Sequence, residues 1–547
     1  MQCYLQSHLS ERAILPTRNR RSRNQDERTS PDGCKDSSGA SNWGAGVAQA
    51  LTERYGGDIA GVLSCYDRIL ITGTLPTVCF AGGMTSFLYR NHIAIFGYTK
   101  FAEPLRERVR EKAHAIAAEA GITIEHIAKS HIRKEGVVAK ILAERGTHPG
   151  LVHVISAMES CDTYKPRLDK QAGTLSLRAD RGQCLHYYFY FIDKELGLVH
   201  LRVPTWCPFR LQFYCNGHSW LARQLEAEGI DFRLADNAFT RIDNFSRAQQ
   251  LADNLSPDRL HRILDRYAKQ CCPVLDVFGE RYHWSLTQVE YSTDIVFGSP
   301  AILKSLYEQL CRQAVLSVKA ENIATFLSHK LPPHVVAEIG SQFSTRIEGT
   351  CIKHRYGKCF VKMYDKFSLV LRLETTTNDV SFFKHHRKVE HRDKSSTWEL
   401  APVKKYIYSL KIVRDILLAC NQRYLAYLST LDDFSAGVRA LDKVTRPRSA
   451  KGKSVKPINF FSPTDQSLLR ALLRPGFNIA GVRRSDLVSL LAELSPSALS
   501  RHLARLRHIG IIRRIKGSYR YYLTSIGRAA ITAGCYLTEN ILIPALA

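Results

Sequence analysis

Hydrophobic and polar positions follow a helical period in some stretches of the first half of the chain and a strand period in others. Ala, Val and Ile recur on one side of Glu103 to Ala120, which predicts an amphipathic helix. Leu151 to Met158 is mostly apolar and predicts a buried strand. An aromatic hairpin is predicted from His186 to Val203, with its turn at Lys194 to Gly197. This alternation of helix and strand predicts a mixed α/β body over residues 44–280.

The region from residue 281 to residue 443 is richer in strand patterns, with helices between them. Apolar residues recur at every second position in Trp284 to Phe297, Phe360 to Lys366 and Leu369 to Thr375. This period predicts strands that turn one face towards a core and the other face away from it. A pair of helices is expected over Ala401 to Leu431.

Two segments contain few residues that a core could bury. Residues 1–43 are polar and rich in Ser, Arg, Asp and Asn, and we expect a disordered leader there. Residues 444–459 contain Arg446-Pro447-Arg448 and Lys451-Gly452-Lys453, which predict a basic linker without core residues. This linker is the clearest domain boundary in the chain.

The last segment, residues 460–547, predicts three helices followed by a hairpin. Ser462-Pro463, Ser485 and Ser495-Pro496 are the expected helix starts, and the strands are expected at Ile511 to Ile515 and Tyr521 to Thr524. The third helix carries an apolar stripe formed by Leu499, Leu503, Leu506 and Ile509. The fold class expected for the whole chain is therefore α+β, with a mixed α/β body and a small C-terminal domain.

Charge adds a partner class to this architecture. The formal net charge is +26, and residues 444–547 hold 17 Lys and Arg against 4 Asp and Glu. Half of the net charge lies in under a fifth of the chain, which indicates a local surface for a polyanion. No uncharged apolar run of 18 residues and no signal-peptide order appear, so we expect a cytoplasmic protein without a membrane span.

The stretch SALSRHLARLRHIGIIRRIKGSYRYYLTSIGRAAI resembles the winged helix-turn-helix domains of MarR-type and ArsR-type transcription regulators, and the resemblance covers residues 460–535. It implies a third helix that enters the DNA major groove and a basic hairpin that reaches the flanking backbone. The expected DNA-binding residues are Ser497, Ser500, Arg501, Arg505, Arg513, Lys516 and Arg520. The alternative is a domain of this type that contacts another protein and leaves its charges solvated.

The polar faces of the central strands carry candidate chemistry. Alternation places Glu290 and Asp294 on one face of their strand, Tyr364 between two lysines, and Glu374 beside Arg372. Grouped carboxylates can hold a hard divalent metal, and a nearby tyrosine could attack a phosphodiester. The alternative is an ordinary antiparallel sheet with ion pairs between neighbouring strands.

The patterns xEYSTDIxF, KMYDK and LRLE, in this order, resemble motifs of replication initiators from rolling-circle plasmids and filamentous phages. The resemblance implies metal-dependent nicking of one DNA strand through a covalent phosphotyrosine. Glu290, Asp294 and Glu374 would then be metal ligands for Mg²⁺ or Mn²⁺, and Tyr364 or Tyr291 the nucleophile. The chain departs from the pattern of many such enzymes, because it has no His-x-His pair.

Two functional classes remain open from the residues alone. One is a non-enzymatic DNA-binding protein, such as a transcription regulator, and the other is a metal-dependent enzyme of a mobile element that nicks or joins DNA strands. Duplex DNA is the expected partner in both, single-stranded DNA or RNA would suit the same charges, and a homodimer is compatible with either. In Thr205 to Trp220, aromatic residues alternate with basic and amide residues, which suits either stacking on unpaired bases or a core strand that ends at a helix cap.

Overall fold

The computed structural model describes residues 51, 55–129, 131–146, 148–171, 173–331, 335, 338–429, 434–450, 453–515 and 517–546. The expected leader over residues 1–43 lies outside the described residues, as does Lys516 in the C-terminal hairpin. The chain is a mixed α+β protein with one large sheet, which agrees with the expected class at this level. Two compact units can be distinguished, and each is described by itself.

The first unit contains a sheet of eleven strands in the order β10-β11-β12-β13-β9-β1-β6-β5-β4-β3-β2. The strands are β1 (Ile59–Thr74), β2 (Glu125–His126), β3 (Gly150–Asp169), β4 (Thr174–Asp193), β5 (Gly197–Pro204), β6 (Leu211–Cys215), β9 (His283–Phe297), β10 (Phe343–Glu348), β11 (Cys351–Tyr356), β12 (Cys359–Lys366) and β13 (Val370–Thr377). Separate two-stranded ribbons are β7 (Phe232–Ala235) with β8 (Ala238–Ile242), and β14 (Lys384–Glu390) with β15 (Ser396–Pro402).

The helices of this part of the chain lie between or after these strands in the sequence. They are α1 (Ala81–Arg90), α2 (Tyr98–Glu119), α3 (Lys134–Arg145), α4 (Gly217–Glu228), α5 (Phe245–Asp253), α6 (Pro257–Cys271), α7 (Leu275–Phe278), α8 (Pro300–Ser317), α9 (Ala320–Phe326) and α10 (Leu410–Ser429). The predicted helix over Glu103 to Ala120 therefore exists, and it begins five residues earlier, at Tyr98. The predicted helix pair over Ala401 to Leu431 is wrong, since a strand ends at Pro402 and a single helix follows.

The middle of the sheet is buried on both faces. Every residue of β13 is buried, and so are the last ten residues of β9. Strands in such a position normally contain few charged residues, because a buried charge must be paired or bound to remain stable. The charged residues of β9 and β13 therefore have partners on neighbouring strands, and these partners define the site described below.

The pairing of the strands differs from that of an alternating α/β sheet. Neighbouring strands pair antiparallel across most of the sheet, whereas β2 pairs parallel with β3. The β3–β4 hairpin is much longer than its apolar pattern predicts, because both strands run for 20 residues and half-exposed polar residues fill their far ends. Polar stretches can pair in a hairpin without burying a face, so the apolar pattern alone underestimates their length.

The second unit includes the C-terminal residues from Ala426 onward, together with Leu306–Ala324 and Lys330–Ser341. Its later elements are α11 (Phe434–Thr445), β16 (Arg448–Ala450), β17 (Lys453–Val455), α12 (Pro463–Leu472), α13 (Pro475–Ala480), α14 (Arg484–Val488), α15 (Pro496–Ile509), β18 (Ile512–Arg514), β19 (Tyr521–Leu523), α16 (Ser525–Leu537) and α17 (Ile543–Leu546). Four helices, α12 to α15, precede the antiparallel β18–β19 hairpin, so the short helix α13 is added to the three that were expected.

One hydrophobic core holds these C-terminal elements together. Leu499, Leu503, Leu506 and Ile509 are all buried in it, which confirms the predicted apolar stripe of the third helix. The segment 444–459 differs from the expected linker at its two ends, because Val444 and Ile458 are buried in the same core. Two apolar residues among so many basic residues form too weak a pattern to predict burial. Only the structure shows that they belong to the core.

One helical stretch of the described chain, Ser525–Leu546, is long and apolar enough to cross a membrane, with a mean hydropathy of 1.3. A search for uncharged runs passes over it because Arg528 and Glu539 interrupt the stretch. Within its apolar window 17% of the residues are buried, and Ile531 is one of them, in the C-terminal core.

Candidate functional site

Charged side chains from four adjacent strands meet at the centre of the sheet. Strand order brings β12, β13, β9 and β1 side by side, and the register pairs Lys362 with Glu374 and Arg372 with Asp294. Glu290 lies opposite Thr376, which is two residues after Glu374 on β13. Because side chains at every second position share a face, these charges all point to the same side of the sheet.

Three carboxylates converge within this region, and one of them is not predicted by the strand patterns. Oxygen atoms of Asp67, Glu290 and Glu374 lie within 4.8 Å of one another, and all three residues are buried. Of the three predicted metal ligands, the structure therefore brings Glu290 and Glu374 together and adds Asp67 from β1. We call these three residues the carboxylate cluster.

Asp67 reaches the cluster through a β-bulge. Tyr66 pairs with Tyr291 and Arg68 pairs with Glu290, so that β1 has one extra residue at Asp67 relative to β9. A bulge changes the direction of a side chain and interrupts strict alternation, and bulges are frequent beside functional sites. Since the period of β1 gives no sign of this extra residue, only the pairing with β9 places Asp67 in the cluster.

Two basic side chains balance the cluster. The Nζ of Lys362 lies 2.5 Å from Oε1 of Glu374 and 3.8 Å from Oε1 of Glu290. The Nε of Arg68 lies 3.9 Å from Oε2 of Glu290. Burial disfavours the charge of Lys362, but the carboxylates of Glu290 and Glu374 outweigh it and raise the pKa of this lysine above its ordinary value. Lys362 is therefore a permanent cation at a position that a divalent metal ion would have to share or take over.

Burial and charge also act on the cluster itself. Burial raises the pKa of Glu290, and repulsion from Glu374 adds to this effect, while Lys362 opposes it. A raised carboxyl pKa in a buried group of like charges is a property of many catalytic and metal-binding sites.

Asp294 has a different role from the predicted one. Its two carboxylate oxygens accept hydrogen bonds of 2.6 Å from Nε and Nη2 of Arg372, which is fully buried. A paired, bidentate arginine uses the lone pairs that a metal ion would need. The prediction of Asp294 as a metal ligand is therefore not supported, and the residue instead anchors Arg372.

His218 and two asparagines complete the network on the side of α4. The Nδ1 of His218 lies 3.2 Å from Oδ1 of Asp67, and its Nε2 lies 3.7 Å from Oδ2 of Asp294. Asn237 donates a hydrogen bond of 2.6 Å to Asp67. Asn216 caps α4 by accepting from two backbone amides and also donates to Asp67 at 3.4 Å. Hence Asp67 is held firmly in place, as an oriented ligand or ion-pair partner must be.

The two candidate tyrosines lie in different places. Tyr364 donates a hydrogen bond of 2.5 Å to Oε2 of Glu374, so its hydroxyl is part of the polar network. Burial, together with Glu374, raises the pKa of Tyr364 well above its ordinary value, so the phenol is protonated. Tyr291 alternates with Glu290 and therefore points to the opposite face, where it donates to the carbonyl of Ser64 at 3.2 Å. Of the two tyrosines, only Tyr364 contacts the cluster.

Some of the C-terminal candidate residues are exposed, whereas others form hydrogen bonds or ion pairs within the unit. Ser497 and Arg501 are exposed on α15, on the face opposite its buried stripe. Ser500 is half-buried, donates to the carbonyl of Pro496 and accepts from Arg484. Arg505 lies on the flank of the helix and forms an ion pair with Asp465, so it is not on the outward face. The prediction that Arg505 faces a ligand is therefore not supported by its position.

The hairpin that follows α15 carries further basic residues. Arg513 is exposed on β18, whereas Arg520 donates to the carbonyl of Ala480 within the same unit. Strand patterns miss Arg514, whose guanidinium lies 5.0 Å from the ring centre of Tyr519. Tyr519 is 79% exposed, so this pair projects from the hairpin into solvent. Local residue order gave no signal for it, because the contact depends on how the turn folds back.

No model of a known protein family, no curated protein and no solved structure matches this chain.

Proposed function

We propose that this protein binds duplex DNA through α15 and the β18–β19 hairpin, which would act as a winged helix-turn-helix. The observation that carries the proposal is the exposed polar face of α15. Ser497 and Arg501 are exposed there, opposite four buried apolar residues, and basic residues of the hairpin are exposed next in the chain. A helix of this width enters the major groove, and arginines on its outer face can donate to guanine edges or phosphates.

The charge distribution supports this proposal. Residues 444–547 have 17 basic and 4 acidic residues, and several of the basic residues have no acidic partner within the described part of the unit. A surface with this excess attracts a polyanion at long range and releases counterions when it binds. A domain used only for protein contacts would not need this excess.

Fluorescence anisotropy with a labelled duplex over a range of salt concentrations tests the proposal. Arg501→Ala should weaken binding about tenfold, and each lost phosphate contact should lower the slope of log K against log salt by about 0.9. Lys140→Ala, which removes an exposed charge from α3, is the matched control and should change neither quantity. Unchanged affinity and salt slope in Arg501→Ala would exclude α15 as the helix that contacts DNA.

Arg505→Ala gives a second, independent comparison. Because Arg505 pairs with Asp465 inside the unit, its removal should lower the melting temperature of that unit more than it changes the salt slope. The opposite result, a large change of slope without loss of stability, would show that Arg505 leaves Asp465 to contact DNA. The two variants together therefore distinguish residues that contact DNA from residues that stabilise the C-terminal unit.

A second candidate function is metal-dependent nicking or joining of DNA strands by the first unit. The observation that favours it is the carboxylate cluster with the Tyr364 hydroxyl hydrogen-bonded to Glu374. So many charged groups in the centre of a sheet are costly to bury, and apolar residues of similar size would be at least as stable. Buried charges that are retained despite this cost are typical of catalytic sites. The resemblance to replication initiators likewise points to a site that nicks DNA.

For this nicking activity, the contacts indicate the role of each residue. Asp67, Glu290 and Glu374 would hold Mg²⁺ or Mn²⁺, which prefer oxygen ligands and would neutralise charge on a phosphate. Tyr364 would supply the nucleophilic oxygen and Glu374 would accept its proton, since the two are already hydrogen-bonded. As the phosphotyrosine bond forms, one P–O bond of the strand would break, and its oxygen would take up a proton and leave as a hydroxyl. Tyr364 is only 6% exposed, so DNA could reach it only after side chains or backbone around the cluster move.

A nicking assay on supercoiled and single-stranded DNA with Mg²⁺ or Mn²⁺ tests the enzyme reading. The expected result is a metal-dependent nick with protein attached to DNA, lost in Tyr364→Phe and Glu374→Gln and kept in Asp276→Asn. Asp276 is the control because it is an exposed carboxylate paired with Arg108, outside the cluster. Intact DNA in tubes where duplex binding is confirmed would reject the enzyme and leave the DNA-binding proposal standing.

A further inference from the structure

A second polar region of the first unit is an open cavity of about 250 Å³. It is formed by β1, β3, β4, β5, β6 and the turn between β5 and β6. Its charged, aromatic and amide lining residues are Asp162, Arg181, His186, Arg202, Trp206, Arg210 and Gln212. The segment Thr205 to Trp220, which suits either base stacking or a core strand, supplies three of these residues. Its later part is indeed a core strand with a helix cap, whereas Trp206, Arg210 and Gln212 line the cavity.

The cavity is positively charged. Three arginines line it, and Asp162 is the one carboxylate among the described lining residues. Asp162 forms an ion pair of 3.0 Å with Arg210 and lies opposite Arg181 in the β3–β4 register. Glu159, outside the lining, forms a second ion pair of 3.1 Å with Arg202. Two carboxylates face three guanidinium groups, so the cavity keeps a net positive charge and favours an anionic ligand. Planar guanidinium groups are the preferred donors to phosphate oxygens.

Arg202 is fixed in its orientation before any ligand arrives. Its Nη2 donates to Nε2 of His186 at 3.1 Å and lies 3.1 Å from Oε2 of Glu159. Its Nε is buried and makes no hydrogen bond to the described residues. A buried donor without a partner costs free energy, and an acceptor supplied by a ligand would recover it. Arg202 thus combines a fixed position with an unused donor.

His186 supports this arrangement through its tautomer. Since Nε2 accepts from Arg202, the proton lies on Nδ1, which donates to the carbonyl of Cys184 at 3.1 Å. His186 therefore orients the guanidinium through its Nε2. The pair forms a rigid wall of the cavity rather than a mobile surface arginine.

An aromatic side chain stands beside these donors. Trp206 is half-buried, and its Nε1 donates to Oγ1 of Thr163 at 2.8 Å, which fixes the ring. Unpaired bases stack on such aromatic rings, whatever their sequence, while basic groups bind the adjoining phosphates. The ring also contacts Tyr98 edge-on and has the guanidinium of Arg106 5.9 Å from its centre, so a base would share the ring with these neighbours.

We propose that this cavity binds a nucleoside phosphate unit, with the arginines on the phosphate and Trp206 against the base. The proposal rests on the nucleic-acid-binding function proposed above and names a second site for it, in the body. The ligand chemistry is that of one nucleotide, supplied either by a single strand or by a free nucleotide.

The position of the cavity favours a strand. Thr72 lines the cavity and Asp67 belongs to the carboxylate cluster, and both lie on β1. Five residues of an extended strand span roughly 16 Å, which is a distance of a few nucleotides. Thr72, Gln212 and Arg202 are neighbours across β1, β6 and β5, so they form a row that leads into the cavity. A strand held at the cavity can therefore extend towards the carboxylate cluster.

Binding of a labelled 15-nucleotide oligothymidylate to the full chain, followed by anisotropy, tests the proposal. The double variant Arg181→Ala with Arg210→Ala should bind about tenfold more weakly, with a salt slope lower by about 0.7 for each phosphate contact. Trp206→Leu should weaken binding about tenfold with little change of slope, because stacking carries no counterion release. Arg233→Ala, an exposed charge on β7, is the control and should bind like the unchanged protein.

The outcomes separate this proposal from the duplex-binding proposal. Unchanged single-strand binding in both cavity variants overturns the cavity as a site, whatever Arg501→Ala does to duplex binding. Weaker single-strand binding with unchanged duplex binding supports it, and it would do so even if Arg501→Ala had no effect on the duplex. Displacement of the oligonucleotide by millimolar adenosine monophosphate assigns the cavity to a free nucleotide, and resistance to it assigns the cavity to a strand. Equal displacement by inorganic phosphate and by adenosine monophosphate would overturn recognition of the base.

Discussion

Replacing Arg372 by methionine removes the central cation of the buried network. Arg372 is fully buried, holds Asp294 through two hydrogen bonds of 2.6 Å, and lies 3.5 Å from Asp67. It also donates to the carbonyl of Asn237 at 2.6 Å. Methionine fills much of the same volume but leaves two buried carboxylates without their principal partner. The variant therefore isolates the electrostatic part of this contact from its packing.

The expected loss of stability is large. Removing one partner of a buried ion pair costs about 3–5 kcal/mol, because the remaining charge stays buried and uncompensated. Removing both partners costs much less, since no charge is left behind. The double variant Arg372→Met with Asp294→Asn should therefore recover part of the stability that the single variant loses. Asp67 remains in both variants, so we expect partial recovery only.

The loss should depend on pH in a defined direction. Burial alone would raise the pKa of Asp294, but Arg372 and His218 lower it below its ordinary value. A carboxylate with a lowered pKa in the folded state adds stability above its unfolded pKa of about 3.9, and this stability is lost as the pH falls through the folded pKa. In Arg372→Met the burial effect remains and the pKa rises. Protonation then relieves the buried charge, so the deficit of the variant should shrink as the pH falls from 7 to 5.

Urea unfolding followed by tryptophan fluorescence at pH 7 and pH 5 measures these quantities. Arg346→Met, at an exposed position of β10, is the control and should lose well under 1 kcal/mol. Two results would refute the reasoning about the network. One is a stability of Arg372→Met close to that of the unchanged protein at pH 7, and the other is a deficit that is equal at both pH values.

Three further outcomes follow from close contacts elsewhere. Gly217→Ala should lower the melting temperature of the first unit and cost about 1–3 kcal/mol by calorimetry, because its Cβ would lie 2.4 Å from the carbonyl oxygen of Tyr66. Leu503→Ala should destabilise the C-terminal unit by about 2–5 kcal/mol in thermal unfolding, since the side chain is 2% exposed in its core. Asp465→Ala should lower the melting temperature of that unit through the loss of the Arg505 ion pair, while the salt slope of duplex binding stays unchanged.

Local patterns determined the elements with the strongest period. The stripe of Leu499, Leu503, Leu506 and Ile509 predicts both α15 and its buried face, because a helix repeats every 3.6 residues whatever surrounds it. The helix start at Ser495 follows from a side-chain cap that needs only the next three residues. Alternation in β9 and β13 likewise placed Glu290 and Glu374 on polar faces of their strands, which are two of the three residues of the carboxylate cluster.

The tertiary structure alone decided which of these polar residues meet. Alternation states which face a side chain points to, but it does not state which strands are neighbours or in which register they pair. The bulge that brings Asp67 to the carboxylate cluster exists only in the pairing of β1 with β9. The ion pairs of Asp294 with Arg372 and of Arg505 with Asp465 likewise join elements that are far apart in the chain. Sequence fixes the period of each element, and the free energy of pairing buried charges then selects the partners.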